Sequence, residues 1–171
     1  MTETFAERLA GGEQHESAFG AWLRDSQGWH AWKFGQALLP ESSYEFLARW
    51  RDSYQRPTRI RWLPDLLGVN PRAGTVCLVD AKSETDDYPN YAIEVDALET
   101  GLALIEHLHT PVYYAFTGSA HDDFRVLTPR VVANRWHMRK NGSSARGSKT
   151  SFVCVAKEFA VPAFRVFIKA G

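Results

Sequence analysis

Apolar side chains recur at helical spacing over residues 13–26, where Phe19, Trp22 and Leu23 form one stripe. Glu16 precedes Phe19 by three positions and Leu23 by seven, so it shares that stripe, an unusual place for a carboxylate. Glu13, one turn earlier, is its rival. Either acid also fits the role of a helix-edge residue or of first-turn compensation of the helix dipole. Residues 2–10 predict one or two further helical turns, interrupted by Gly11-Gly12. Residues 29–39 read as a first, aromatic strand with an irregularity at Gly35. Pro40 opens a second helix with Tyr44, Leu47 and Trp50 on its stripe, and Pro57 closes it. Residues 58–63 alternate Ile60 and Trp62 against Arg59 and Arg61, which predicts a strand running into Asp65. Pro64 marks that strand as an edge, a bulge or a strand end.

The strongest strand pattern covers residues 75–82, between the turn signals around Asn70-Pro71 and Ala73-Gly74 and the pair Asp80 and Lys82. Its period of two puts Val76, Leu78, Asp80 and Lys82 on one face and Cys77, Val79 and Ala81 on the other. An acidic loop, residues 83–90, follows. Tyr91, Val95, Leu98, Leu102 and Ile105 then predict a helix over residues 91–107, stopped by Thr110-Pro111. Residues 112–116 read as a short buried strand. The order strand, helix, strand predicts parallel pairing through a right-handed crossover. Residues 124–127, 152–155 and 164–168 supply further strands. Together these elements predict an α/β fold, a mixed central sheet flanked by helices.

Composition narrows the class. The chain has 171 residues, 44% of them apolar, which suits one domain over residues 1–171 with a real core. No apolar run approaches the roughly 20 residues that span a bilayer, so no membrane partner is expected. The polar, acidic start is unlike a secretory signal, and Cys77 and Cys154 sit in strand-like apolar runs as buried thiols. Both features predict a cytoplasmic protein. Net charge is zero but unevenly spread: residues 65–129 hold three basic and eleven acidic side chains, and residues 130–171 hold nine basic and one acidic. Such a split suits a cation site beside a polyanion site, or plain charge complementarity within one fold.

The chemistry concentrates at residues 64–82. A buried strand rarely ends in a carboxylate and an ammonium, because buried charges are costly unless paired or bound to metal. Pro64-Asp65, a fourteen-residue gap, and Asp80-Ala81-Lys82, with Glu16 on an upstream helix and a helix and strand downstream, resemble the PD-(D/E)XK nuclease superfamily. The resemblance spans about residues 13–116 and implies the restriction-endonuclease-like fold. It implies that Asp65, Asp80 and the Ala81 carbonyl hold Mg²⁺ or Mn²⁺, that Glu16 is an additional ligand, and that Lys82 is the catalytic lysine. The residues independently suit phosphodiester hydrolysis. Carboxylates on adjacent strands make a hard oxygen site. A lysine on the same face can orient and deprotonate a metal-adjacent water, or stabilise developing charge. The bland alternative is a buried Asp–Lys ion pair.

The superfamily branch with a glutamine and a tyrosine on the helix after the DxK strand fits poorly. Residues 91–107 offer Tyr91, Glu94, Asp96 and Glu99 but no glutamine. The upstream glutamate, small size and basic loop are closer to Holliday-junction resolvases and small phage or repair nucleases, although the helix expected over residues 40–57 is an addition to that pattern. Residues 130–149 carry six basic side chains and no acidic one. There Arg135, Trp136, Arg139, Lys140, Arg146 and Lys149 are the candidate DNA contacts, through phosphate binding and base stacking; a solvated loop is the plain alternative. The expected function is a Mg²⁺- or Mn²⁺-dependent DNA nuclease acting on structured or branched DNA in recombination, repair or phage replication. A sequence-specific restriction-type enzyme and a catalytically silent nucleic-acid-binding module are the alternatives. Many enzymes of the superfamily cut as homodimers, although no exposed apolar stripe in the pattern requires one.

Overall fold

A computed structural model of the chain describes residues 5–40, 59–82, 89–117, 123–135 and 151–168. The expected helix over residues 40–57, the acidic loop after Lys82, and most of the basic stretch, residues 136–150, lie outside the described residues. A six-stranded sheet has the order β1 (His30–Lys33), β2 (Leu66–Asn70), β3 (Thr75–Lys82), β5 (Val112–Thr117), β6 (Phe124–Leu127), β8 (Val161–Pro162). The β3–β5 pair is parallel and every other pair in this sheet is antiparallel. The remaining strands, β4 (Asn90–Glu94) and β7 (Phe152–Ala156), form a separate antiparallel pair.

The helices α1 (Phe5–Gln27), α2 (Val95–Leu108), α3 (Pro129–Asn134) and α4 (Ala163–Val166) complete the described elements. One face of the sheet packs under α1. Phe19, Trp22 and Leu23 meet Ala31, Leu66, Cys77, Val79 and Ala115, with Trp29, Phe124 and Phe167 closing an aromatic cluster. Phe19 meets Phe124 and Phe167 edge-on, with centroids 5.0 and 5.6 Å apart. That geometry adds to simple area burial. The other face packs Tyr114, Phe116 and Leu127 against Leu98 of α2, Val132 of α3, and Tyr91, Ile93, Val153 and Val155 of the β4–β7 pair. The central strands are apolar on both sides because both sides are covered.

The predicted strands at residues 75–82, 112–116 and 124–127 are present, and the strand–helix–strand unit gives the expected parallel pairing. Five local readings change. The first strand covers only His30–Lys33, and Gly35–Leu38 is a 3₁₀ turn in place of its continuation. Gly11-Gly12 does not interrupt α1, which runs through both. Each glycine costs a helix only about 1 kcal/mol relative to alanine, and a helix already anchored downstream propagates at little cost. Residues 59–62 form a 3₁₀ turn, not a strand, and none of them is buried. Alternation without a buried face has nothing to select the extended form. Asp65 therefore precedes its strand, β2, instead of ending an earlier one.

Residues 90–94 are a strand, and the helix begins only at Val95. Tyr91 fits either period, but Tyr91 and Ile93 are buried while Ala92 is exposed, which is the signature of a period of two. Residues 163–166 are a helical turn in place of a closing strand. The buried side chains there are Ala163 and Phe167, four apart, so helical spacing decides the conformation. The irregularity at Gly35 is real. Its φ is +57°, and a Cβ there would stand 2.6 Å from the Pro64 carbonyl oxygen. Only glycine lets β1 turn away this close to the segment that delivers Asp65. Both cysteines are free thiols. Burial pushes Cys77 up to about 12, while Cys154 is half-buried, on the less enclosed two-stranded pair.

Candidate active site

Three strands and one helix bring the charged residues together. The β2–β3 register pairs Leu66 with Val79, and one step further sets Asp65 beside Asp80. Two hydrogen bonds hold it there. The Asp65 backbone N–H donates to the Val79 carbonyl at 2.9 Å, and the Ala81 N–H donates to the Asp65 carboxylate at 2.8 Å. The side chain thus stands in for a ladder acceptor just before β2 begins, which fixes its direction. Asp80 lies on the face opposite Val79 and is buried. Two positions on, the Lys82 ammonium reaches back to Asp80 at 2.9 Å.

A fourth residue joins them. The Glu94 carboxylate is 3.8 Å from the Lys82 ammonium. Glu94 occupies the N-cap position of α2 with extended backbone, yet its side chain makes no capping hydrogen bond. It turns toward the site. The helical pattern over residues 91–107 places Glu94 inside a helix and gives it no role. The available signal is its place at the end of a period-two run, the same pattern that marks Asp80. Glu16 stands half-buried on α1. Its neighbour His15 is hydrogen-bonded through Nδ1 to the Thr117 hydroxyl at 2.8 Å, which pins this part of α1 to the end of β5.

The electrostatics is that of crowded acids around one cation. Burial raises Asp65 well above the usual carboxylate range, and the negative charges of Asp80 and Glu16 push it further against the opposing pull of Lys82. Burial also raises Glu16, with Lys33 opposing the shift and Glu13 and Asp80 adding to it. Glu94 is raised by burial and by Asp80, while Lys82 and Arg61 oppose the shift. Burial disfavours the Lys82 ammonium, but Asp80, Glu94 and Asp65 outweigh it and hold its pKa above the ordinary lysine value. With its side chain 22% exposed, the Lys82 ammonium is within reach of solvent.

Among the described residues, no three His, Cys, Asp or Glu side chains are grouped tightly enough to close around one metal ion. A pair of carboxylates, Asp65 and Asp80, is what Mg²⁺ ordinarily takes, since it keeps several of its waters. Of the candidate DNA contacts, Arg135 lies among the described residues; its guanidinium stacks on Phe159, 4.1 Å from the ring centroid. Trp136, Arg139, Lys140, Arg146 and Lys149 lie outside them. No helix among the described residues is long and apolar enough to cross a membrane.

No family model matches the sequence, and no curated protein matches it. Solved structures do. The Hjc Holliday junction resolvase of Archaeoglobus fulgidus is similar in fold at a TM-score of 0.55, with 12% identity, over 92% of this chain and 96% of that one. D212, a nuclease from a fusselovirus, aligns at a TM-score of 0.48 with 12% identity, over 99% of this chain and 94% of that one. With the mixed six-stranded sheet and its flanking helices, the likeness to the resolvase establishes that the chain has the restriction-endonuclease-like fold.

Proposed function

We propose that the protein is a Mg²⁺- or Mn²⁺-dependent DNA nuclease that hydrolyses phosphodiester bonds at Asp65, Asp80 and Lys82. The observation that carries this reading is the Asp80–Lys82 contact at 2.9 Å on a strand whose neighbour delivers Asp65 to the same place. A merely structural ion pair needs no second buried carboxylate beside it, and Asp65 makes the pair costlier to bury. Crowded acids of raised pKa are instead a site that gains by taking up a cation.

A bound divalent ion would neutralise the phosphate and lower the pKa of a coordinated water. Asp65 and Asp80 would hold it with the Ala81 carbonyl, and Glu16 would have to move closer to both acids to join them as a further donor. Asp80, Glu94 and Asp65 favour the charged form of Lys82. As an ammonium it would donate a hydrogen bond to the attacking water or to a phosphate oxygen, stabilising charge that grows in the transition state. Glu94 shares the ammonium with Asp80 and limits where it can point.

The substrate proposed is structured or branched DNA, as the name of the neighbouring resolvase suggests, with residues 130–149 as the basic contact surface. One gel series tests all of this. Linear, single-stranded, flap and four-way-junction DNA are incubated with Mg²⁺, Mn²⁺ or EDTA, beside Asp80→Ala and Lys82→Ala. The expected result is cleavage that EDTA abolishes and both substitutions remove. Binding without cleavage under every condition would make the protein a silent nucleic-acid-binding module. Cleavage confined to one duplex sequence would make it a restriction-type enzyme.

A further inference from the structure

The face of the sheet that carries Asp80 and Lys82 is covered over β5, half-covered over β2, where Leu67 and Val69 are half-buried, and most exposed at β1, where His30 and Trp32 are exposed. Across β5, the second core buries Tyr114 and Phe116. The register of β1, β2 and β3 places His30, Trp32, Leu67, Val69, Val76 and Leu78 on this same face, in line with Asp80. Here Trp32 is 52% exposed and Val76 43%. Neither core cluster of the described residues includes this indole. The His30 ring stacks on it, with centroids 5.6 Å apart and planes 15° from parallel. An indole braced in this way, on a strand at the sheet edge, loses little freedom when another ring lies against it. A cation also stands near the cluster: Arg61, close enough to act on Glu94, is exposed and stacked on Trp62 with its guanidinium 4.9 Å from the ring centroid.

We infer that the stacked pair His30–Trp32 is a platform for an unpaired base of single-stranded DNA, set on the approach to the Asp65–Asp80–Lys82 site. The inference rests on the nuclease reading and names the form of DNA that site receives. The spacing fits. Trp32 aligns with Leu67 and through it with Leu78, two strands away, and Asp80 lies two residues further along β3. At strand spacings of about 4.8 Å and a rise of about 3.4 Å per residue, Trp32 and Asp80 are roughly 12 Å apart at the backbone. That is about three to four stacked nucleotides at 3.4 Å each. Stacking needs a base with a free face, which an intact duplex does not offer away from its ends, and an exposed ring beside cations is how non-specific single-strand sites are built.

The test uses the full chain in EDTA, so that nothing is cut, with single-stranded oligonucleotides that carry 2-aminopurine at successive positions. Stacking on an indole quenches that base. The expected result is quenching confined to one or two positions, lost in Trp32→Ala and largely kept in Trp32→Phe. Single-strand affinity should fall about tenfold in Trp32→Ala, with duplex affinity and melting temperature unchanged. Equal single-strand affinity in Trp32→Ala and the parent protein would overturn the platform, as would an equal loss for single-stranded and duplex DNA. The two readings fail separately. Position-specific quenching without cleavage in Mg²⁺ would sink the nuclease and leave the platform. Cleavage without quenching would do the reverse.

Discussion

The two faces of β3 are one residue apart in sequence and opposite in purpose. Cys77 and Val79 point into an aromatic cluster under α1, where packing is close and no charge intrudes. Leu78 and Asp80 are buried on the other face, where Lys82 and Glu94 join the same charged cluster and Asp65 presses in from β2. The first face supplies stability. The second costs it, because acids that stay ionised only with difficulty are held together by the packing behind them. A strand is suited to this division, since its alternation lets one segment serve both without compromise. Rigid packing on one side is also what keeps the carboxylates on the other within an ångström of their working geometry.

If the faces are separable, substitutions should sort cleanly. The largest effect is expected on the charged face. Asp80→Ala should lower cleavage by at least about a thousandfold, as loss of a principal electrostatic group does, while leaving the melting temperature within a few degrees; gel assays and calorimetry on the same preparation check this. On the apolar face, Phe19→Ala should cost about 3–5 kcal/mol of stability and still cut at low temperature in the fraction that remains folded. Denaturant titration measures the first, and cleavage per folded molecule the second. Abolished activity in a fully folded Phe19→Ala protein would refute the division.

A smaller effect is expected at Glu94, which touches Lys82 and borders both regions. Glu94→Gln should reduce the maximal rate about tenfold with the Michaelis constant for DNA little changed, because the residue steers an ammonium and does not bind substrate. Glu94→Asp should recover part of the loss. A drop in thermal stability with no change in rate would reduce Glu94 to a structural acid.

The smallest effect concerns the strain itself. The folded-state pKa of Asp65 is raised, so the native protein binds its proton more readily than the unfolded chain does. That group favours folding below its ordinary carboxylate range, and the advantage is lost as pH rises through the raised value. Metal-free Asp65→Asn should therefore melt higher than the parent protein at pH 8, by roughly 2–4 °C, the response of a chain this size to about 1 kcal/mol. The gap should narrow toward pH 4. Scanning both proteins in EDTA across that range tests the sign, and a lower melting point at pH 8 would contradict it.

Hydrophobic patterning identifies strands well where both faces are buried. The segments 75–82 and 112–116 read correctly because a short apolar run bounded by turn residues, once covered on both sides, settles into a central strand. Patterning fails where burial is the deciding fact. Alternation in residues 58–63 predicts a strand, but none of residues 59–62 is fully buried, and a 3₁₀ turn results. Tyr91 suits a helix and a strand equally, and only the pairing of Tyr91 with Val155 settles the matter. Phe167 lies in the core through a helical turn that a strand pattern cannot anticipate.

The sequence by itself determined the chemistry available: two acids separated by a fourteen-residue gap, a lysine in phase with the second, and a period of two that sends Asp80 and Lys82 the same way. Local geometry fixes those relations, so no tertiary information is needed to see them. Only the tertiary structure decided the company they keep. Glu94 reaches Lys82 through a strand that pairs with β7, more than fifty residues later. Trp32 shares their face through the register of two intervening pairings. Such contacts depend on which strands meet and in what register. Those choices are set by burial summed over the whole sheet, which no single stretch of sequence carries.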